Sequence, residues 1–173
     1  AVRDAKAALR WVIKNADQYN INTEYVTVSG GSAGAMIGIA LGISDSTDFT
    51  NELSLNDDYT LKSTNINTSF EVKTIISHWG SKLPLDILEK IYGYNRLDEK
   101  DPPLFVAHGM YDKIVDIKKA QNLVPEYQKL KIPYKFYPIN KQGHGLWKAT
   151  VNDKKLDELA LSFIVEQQNL VLK

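Results

Sequence analysis

A serine set among small residues, Gly30-Gly31-Ser32-Ala33-Gly34, is where this sequence concentrates its chemistry. A neutral serine hydroxyl is a poor nucleophile near pH 7 and needs a base whose proton affinity matches that pH, which in side-chain terms means an imidazole. The chain has three histidines, His78, His108 and His144, and no cysteine, so disulfides, thiolate metal sites and thiol nucleophiles are excluded. His144 stands in Gln142-Gly143-His144-Gly145, a flexible turn able to bring an imidazole over a nucleophile. His108 and His78 each end an apolar stretch. Backbone hydrogen bonding is the expected work of His108, and pocket lining or core satisfaction that of His78. An imidazole base in turn needs a carboxylate to fix its tautomer and stabilise the imidazolium. Asp112, four residues past His108, fits that need, whereas Asp101 lies at the opposite end of the same apolar stretch and Asp116 is better used as a helix N-cap.

These residues work only if the backbone gathers them. Residues 2–19 place Val2, Ala5, Leu9, Val12, Ile13 and Ala16 at helical spacing, with Arg3, Lys6, Arg10, Lys14 and Asp17 assigned to the solvent side. A strand is expected at 25–29, and a buried helix from the Ser32 turn to about residue 41. Strands follow at 72–78, 104–107 and 134–139, alternating with helices at 85–92, 117–130 and 153–168. Such alternation predicts an α/β protein, a parallel sheet with helices on both faces in three α/β/α layers. Residues 43–71 are rich in Ser, Thr, Asn and Asp, and read as a polar insertion and candidate lid. No repeat or Pro/Gly-rich linker divides the chain, so residues 1–173 are expected to form one unit.

Ser32 then lies in a strand-to-helix turn, where small neighbours let the backbone adopt a strained conformation and expose the hydroxyl. The same turn aims the N–H of Ala33 and the helix dipole at the place where a tetrahedral oxyanion would form. Ser32, Asp112 and His144 each follow a strand of one sheet, at the edge where parallel sheets collect ligands. The chain order Ser, Asp, His is that of α/β-hydrolases.

Charge and hydropathy exclude other classes. Lys+Arg and Asp+Glu both number 21, with no long run of like charge, which disfavours nucleic acid and anionic membrane surfaces as partners. No stretch approaches the ~18 consecutive apolar residues of a membrane span. The opening Ala1-Val2-Arg3-Asp4-Ala5-Lys6 lacks the apolar core of a signal peptide and starts within a helical pattern. A small, roughly neutral substrate fits best, and localisation stays open.

The segment Val26-Thr27-Val28-Ser29-Gly30-Gly31-Ser32-Ala33-Gly34-Ala35 resembles the nucleophile elbow of bacterial carboxylesterases of the hormone-sensitive-lipase and BD-FAE (feruloyl-esterase-like) groups. The preceding Ala7-Ala8-Leu9-Arg10-Trp11-Val12, the acid-loop segment from Pro102 to Val115 and Gly143-His144-Gly145 are similar to theirs as well. The resemblance implies an α/β-hydrolase of bacterial type that cleaves short acyl, acetyl or feruloyl esters through an acyl-enzyme, with no metal or cofactor; a secreted or periplasmic setting is left open. Gly31, His78, Trp79 and Trp147 are candidate substrate-pocket residues. The family's His-Gly-Gly-Gly oxyanion loop and first four strands have no counterpart, so the second oxyanion donor is expected to be absent from the chain. The nucleophile strand is then expected to expose an apolar edge that a missing N-terminal segment or a partner chain covers. With one donor lacking, poor turnover by the chain alone is the expectation. Two alternatives remain at this point: a serine peptidase of the prolyl-oligopeptidase type, and a non-catalytic hydrolase-like binding domain.

Overall fold

The computed structural model describes residues 1–50, 54 and 56–171. Four parallel strands, β1 (Thr27–Gly31), β2 (Thr74–His78), β3 (Leu104–Gly109) and β4 (Tyr134–Ile139), lie side by side in the order β1-β2-β3-β4. Helices α1 (Val2–Lys14), α2 (Ala33–Ile43), α3 (Leu83–Tyr92), α4 (Ile117–Gln121), α5 (Leu123–Leu130) and α6 (Leu156–Gln167) surround them. A short antiparallel hairpin, β5 (Thr150–Val151) with β6 (Lys154–Lys155), precedes α6. The α/β/α layering expected from the alternation is what forms.

The two-residue period of the strands divides the core in two. Ile75, Leu104 and Val106 face one way, onto Ile39, Leu88, Leu123 and Tyr127 from α2, α3 and α5. Ile76, Phe105 and Ala107 face the other, onto Leu156, Ala160 and Phe163 of α6. β3 is buried along its whole length, whereas β1 and β4 are the sheet's edges and only partly covered.

Several elements differ from the sequence reading for identifiable reasons. β1 runs two residues later than the 25–29 span, because Asn22 accepts the N–H of Glu24 and caps a 3-10 turn at Thr23–Tyr25. The strand therefore climbs through both glycines to the residue before Ser32. The helix expected at 117–130 is broken at Asn122 into α4 and α5. Pro125 has no N–H to give the carbonyl of Gln121, where α4 ends. Asp116 does cap α4, accepting the N–H of Lys118 at 2.9 Å. The last helix starts three residues later than residue 153, since Asn152 and Asp153 both take positive φ (49° and 62°) and make the two-residue turn of the hairpin.

α1 departs most. Lys6 and Arg10, assigned to the solvent side, are 0% and 2% exposed. Lys6 Nζ donates to Ser44 Oγ and to the carbonyls of Asp45 and Asp48, and Arg10 donates to the carbonyl of Ser46. The polar insertion thus begins as a strap bound to α1, and Lys14 to Asn65 and Arg96 to Asp48 extend the attachment. Ile43 ends α2; among the described residues of 44–71, one 3-10 turn (Tyr59–Ser63) is the regular structure, and none hydrogen-bonds to Ser32, Asp112 or His144.

Candidate active site

Ser32 sits at the top of β1 with φ 55° and ψ −121°, a region that side-chain-bearing residues avoid, and α2 starts at the next residue. Its N–H is anchored on the carbonyl of His78 at 3.0 Å. The turn closes because Gly30 has no Cβ, which would stand 2.4 Å from the backbone of Gly34, and a Cβ on Gly31 would lie 2.6 Å from the Trp79 ring. Gly34 itself faces open space, so its smallness is not a steric requirement here.

His144, in the loop after β4, directs Nε2 to Ser32 Oγ at 3.0 Å and Nδ1 to Asp112 Oδ2 at 2.8 Å. The other oxygen of Asp112 accepts the N–H groups of Ile114 and Val115 at 2.8 and 2.9 Å. Burial pushes this carboxyl up, but the N–H of Val115, the His144 imidazole and the N–H of Ile114 outweigh it and hold the group below its ordinary range. The acid and base loops are laced together: Met110 donates to the carbonyl of Ile139, and Tyr111 to that of Gln142. Gly109 permits the approach, since a Cβ there would be 2.4 Å from the carbonyl oxygen of Gly143.

The three residues singled out from the sequence as nucleophile, base and acid therefore meet in one hydrogen-bonded chain at the C-terminal ends of the strands. Ala33, the expected oxyanion donor, is the first and exposed residue of α2. Beside this chain opens a cavity of about 570 Å³ whose walls include His78, Trp79, Leu146, Trp147, Lys148 and Leu156. Trp79 takes a left-handed backbone (φ 42°) and turns its ring into the site, 6.1 Å from His144 and 4.9 Å from Trp147, edge to face in both cases. Trp147 is 83% exposed at the cavity rim. His78 lines the wall with a buried Nδ1 that has no partner, and burial lowers its proton affinity. Gly31 does not line the cavity; it makes room for the Trp79 ring.

One contact was missed by sequence reasoning. His108, expected to bond backbone, does so through the carbonyl of Val115, but its Nε2 also lies 3.3 Å from Asp112 Oδ2. The four-residue spacing across a loop was the available signal. Among the described residues no cluster of three or more His, Asp or Glu could hold a metal ion, and no helix is long and apolar enough to cross a membrane.

A parallel sheet with Ser, Asp and His at its C-terminal edge, in that chain order, defines an α/β-hydrolase fold. Within that class, residues 1–89 match the BD-FAE family model, and the chain belongs to the BD-FAE family. Solved structures agree on the fold. A truncated carbohydrate esterase from gut microbiota superposes with a TM-score of 0.73 at 20% identity, over 98% of this chain and 68% of the other. The butyrate-bound esterase Est2 of the planctomycete Thermogutta terrifontis gives 0.72 at 20% identity, over 99% and 67%. An acetyl ester-xyloside bifunctional hydrolase from Caldicellulosiruptor lactoaceticus gives 0.74 at 20% identity, over 99% and 66%. The chain thus spans about two thirds of the length of these structures. No curated protein sequence matches it.

Proposed function

We propose that this chain is the catalytic part of a serine carboxylesterase, working through an acyl-enzyme on short-chain acyl, acetyl or feruloyl esters. The observation that carries the reading is the continuous relay Ser32 Oγ, His144, Asp112 with contacts of 3.0 and 2.8 Å. Ser32 Oγ attacks the ester carbonyl while His144 Nε2 takes its proton, and Asp112 Oδ2 faces the Nδ1–H and balances the imidazolium. The oxyanion of the tetrahedral intermediate is stabilised by the N–H of Ala33 and the N-terminus of α2. Collapse expels the alcohol, protonated by His144, and leaves Ser32 acylated. Water then repeats the sequence, releasing the acid and the free serine.

The cavity walled by Trp79, Leu146 and Trp147 suits an apolar acyl group or the face of a sugar ring. Neighbours of this fold include one esterase, Est2, solved with butyrate, with propionate and phosphorylated by paraoxon, and a carbohydrate esterase, which supports esters over amides as substrates. In this reading the second oxyanion donor comes from a segment that pairs with the open edge of β1, beyond the described residues. Residues 1–173 alone are then expected to label with a fluorophosphonate at Ser32 yet turn over p-nitrophenyl acetate slowly.

The test is mass-spectrometric mapping of fluorophosphonate adducts together with a panel of acetyl, butyryl, feruloyl and aminoacyl-amide substrates. Labelling of Ser32 that is lost in Ser32→Ala, with esters preferred, is the expected result. A folded protein that never labels, or one that prefers amides, overturns the proposal.

A further inference from the structure

Behind Asp112 stands a second imidazole that the proposed reaction does not use. His108 lies on β3, fully buried, with Nε2 at 2.8 Å from the carbonyl oxygen of Val115 and 3.3 Å from Asp112 Oδ2. Both neighbours are acceptors, so whatever charge the ring bears, Nε2 is the nitrogen that holds hydrogen. Nδ1 is buried with no hydrogen-bond partner, and a hydrogen there would be an orphaned donor. Asp112 Oδ2 therefore stands between two imidazole N–H groups, that of His144 at 2.8 Å and that of His108.

We propose that His108 is a positioning residue for the triad: its Nε2–H, shared between Val115 O and Asp112 Oδ2, clamps the acid loop and fixes the rotation of the carboxylate that orients His144. The inference rests on the triad reading above. Its physical content lies in which element holds what. The N–H groups of Ile114 and Val115 pin Oδ1 only. On Oδ2 the hydrogen-bond partner is His144 at 2.8 Å, the imidazole that Asp112 is there to orient, and His108 Nε2, bonded to Val115 O, adds a second contact at 3.3 Å. His108 belongs to the strand that is buried throughout, and it passes that strand's fixed position through Asp112 to a base carried on a surface loop. The titratable groups around this carboxylate are His108 from β3, His144 from the loop after β4 and, one strand away, His78 at the end of β2. Lys113 on the acid loop is exposed.

The experiment compares wild type, His108→Gln and His108→Leu. The glutamine amide nitrogen reaches about where the ring Nε2 stands, whereas leucine keeps bulk and removes the donor. His108→Leu is expected to react with a fluorophosphonate at Ser32 roughly tenfold more slowly at neutral pH. The acid limb of that rate should also move to higher pH, because an Oδ2 with one donor fewer holds a proton on His144 more tightly. His108→Gln should restore both rate and limb. Melting curves separate these effects from simple destabilisation, which would not move the limb. In wild type, ring nitrogen chemical shifts should show His108 protonated at Nε2 and His144 Nδ1–H at low field, a reading that needs no variant to fold. A His108 protonated only at Nδ1 overturns the clamp, as does a His108→Leu protein that labels at the wild-type rate with an unmoved limb. A wild type with His108 Nε2–H that leaves Ser32 unlabelled overturns the hydrolase reading and not the clamp.

Discussion

At the scale of single residues, the chemistry restricts the side-chain types and the backbone restricts their neighbours. Ser32 holds φ 55° and ψ −121°, a conformation that costs a residue with a Cβ about 1–3 kcal/mol. Ser32→Gly should therefore melt higher than wild type, by about 1 kcal/mol in urea titrations, while losing all fluorophosphonate labelling. Ser32→Ala should lose the labelling without the gain. An unchanged midpoint for Ser32→Gly would show that the turn is not strained. The hydrogen-bonded meeting of Ser32, Asp112 and His144 was legible in the sequence because few residue types could serve the proposed roles of nucleophile, acid and base at turns after strands. The second grip on Asp112 was not. It depends on how the loop from Gly109 to Val115 folds back over β3, which the four-residue spacing permits but does not fix.

At the scale of elements, α1 shows how a helical pattern misleads when a polar loop packs on it. Lys6 and Arg10 fall on the polar face of the wheel, yet that face is covered by the carbonyls of Asp45, Ser46 and Asp48. Burying a cation is tolerable when acceptors surround it, and leaving those acceptors without a donor costs about 1–3 kcal/mol each. Lys6→Met, close in length and volume, is thus expected to destabilise the protein by about 2 kcal/mol. Differential scanning calorimetry would check this, and a neutral outcome would mean that the strap at residues 44–48 is not anchored by this side chain. The break between α4 and α5 was readable in hindsight from Pro125. The hairpin turn at Asn152 and Asp153 was also present in the residue types, but its strands are two residues each, too short for alternation to register.

For the whole molecule, the two ends of the sheet have different electrostatics. The C-terminal end holds the Asp112 carboxylate below its ordinary range. At the N-terminal end Asp101 is pushed up to about 7, first by burial and then by the carboxylates of Asp98 and Asp45, against the lowering by the Asp98 N–H. A carboxyl whose folded-state value is raised binds more protons folded than unfolded, so stability falls as pH rises from about 4 toward 7. Asp101→Asn should flatten that slope, raising the melting temperature at pH 8 more than at pH 4, with labelling of Ser32 unchanged because the site is at the far end of the sheet. A wild-type profile that already lacks the slope would refute the assignment. On the same scale, β1 leads into Ser32, the proposed nucleophile, while forming an edge of the described sheet, in a chain about two thirds as long as its structural neighbours.

The sequence by itself determined the α/β alternation, the strand-to-helix turn at Ser32 and the choice of Ser32, Asp112 and His144 as a candidate relay, because these rest on local periodicity and on the small set of groups able to do acyl transfer. The tertiary structure decided which acceptors surround Lys6 and Arg10, that the Trp79 ring packs where a Cβ on Gly31 would stand, and that His108 reaches the carboxylate of Asp112. Each of these is a meeting between segments or across a folded loop. Such meetings are set by how the sheet twists and the loops pack, which residue type and spacing do not specify.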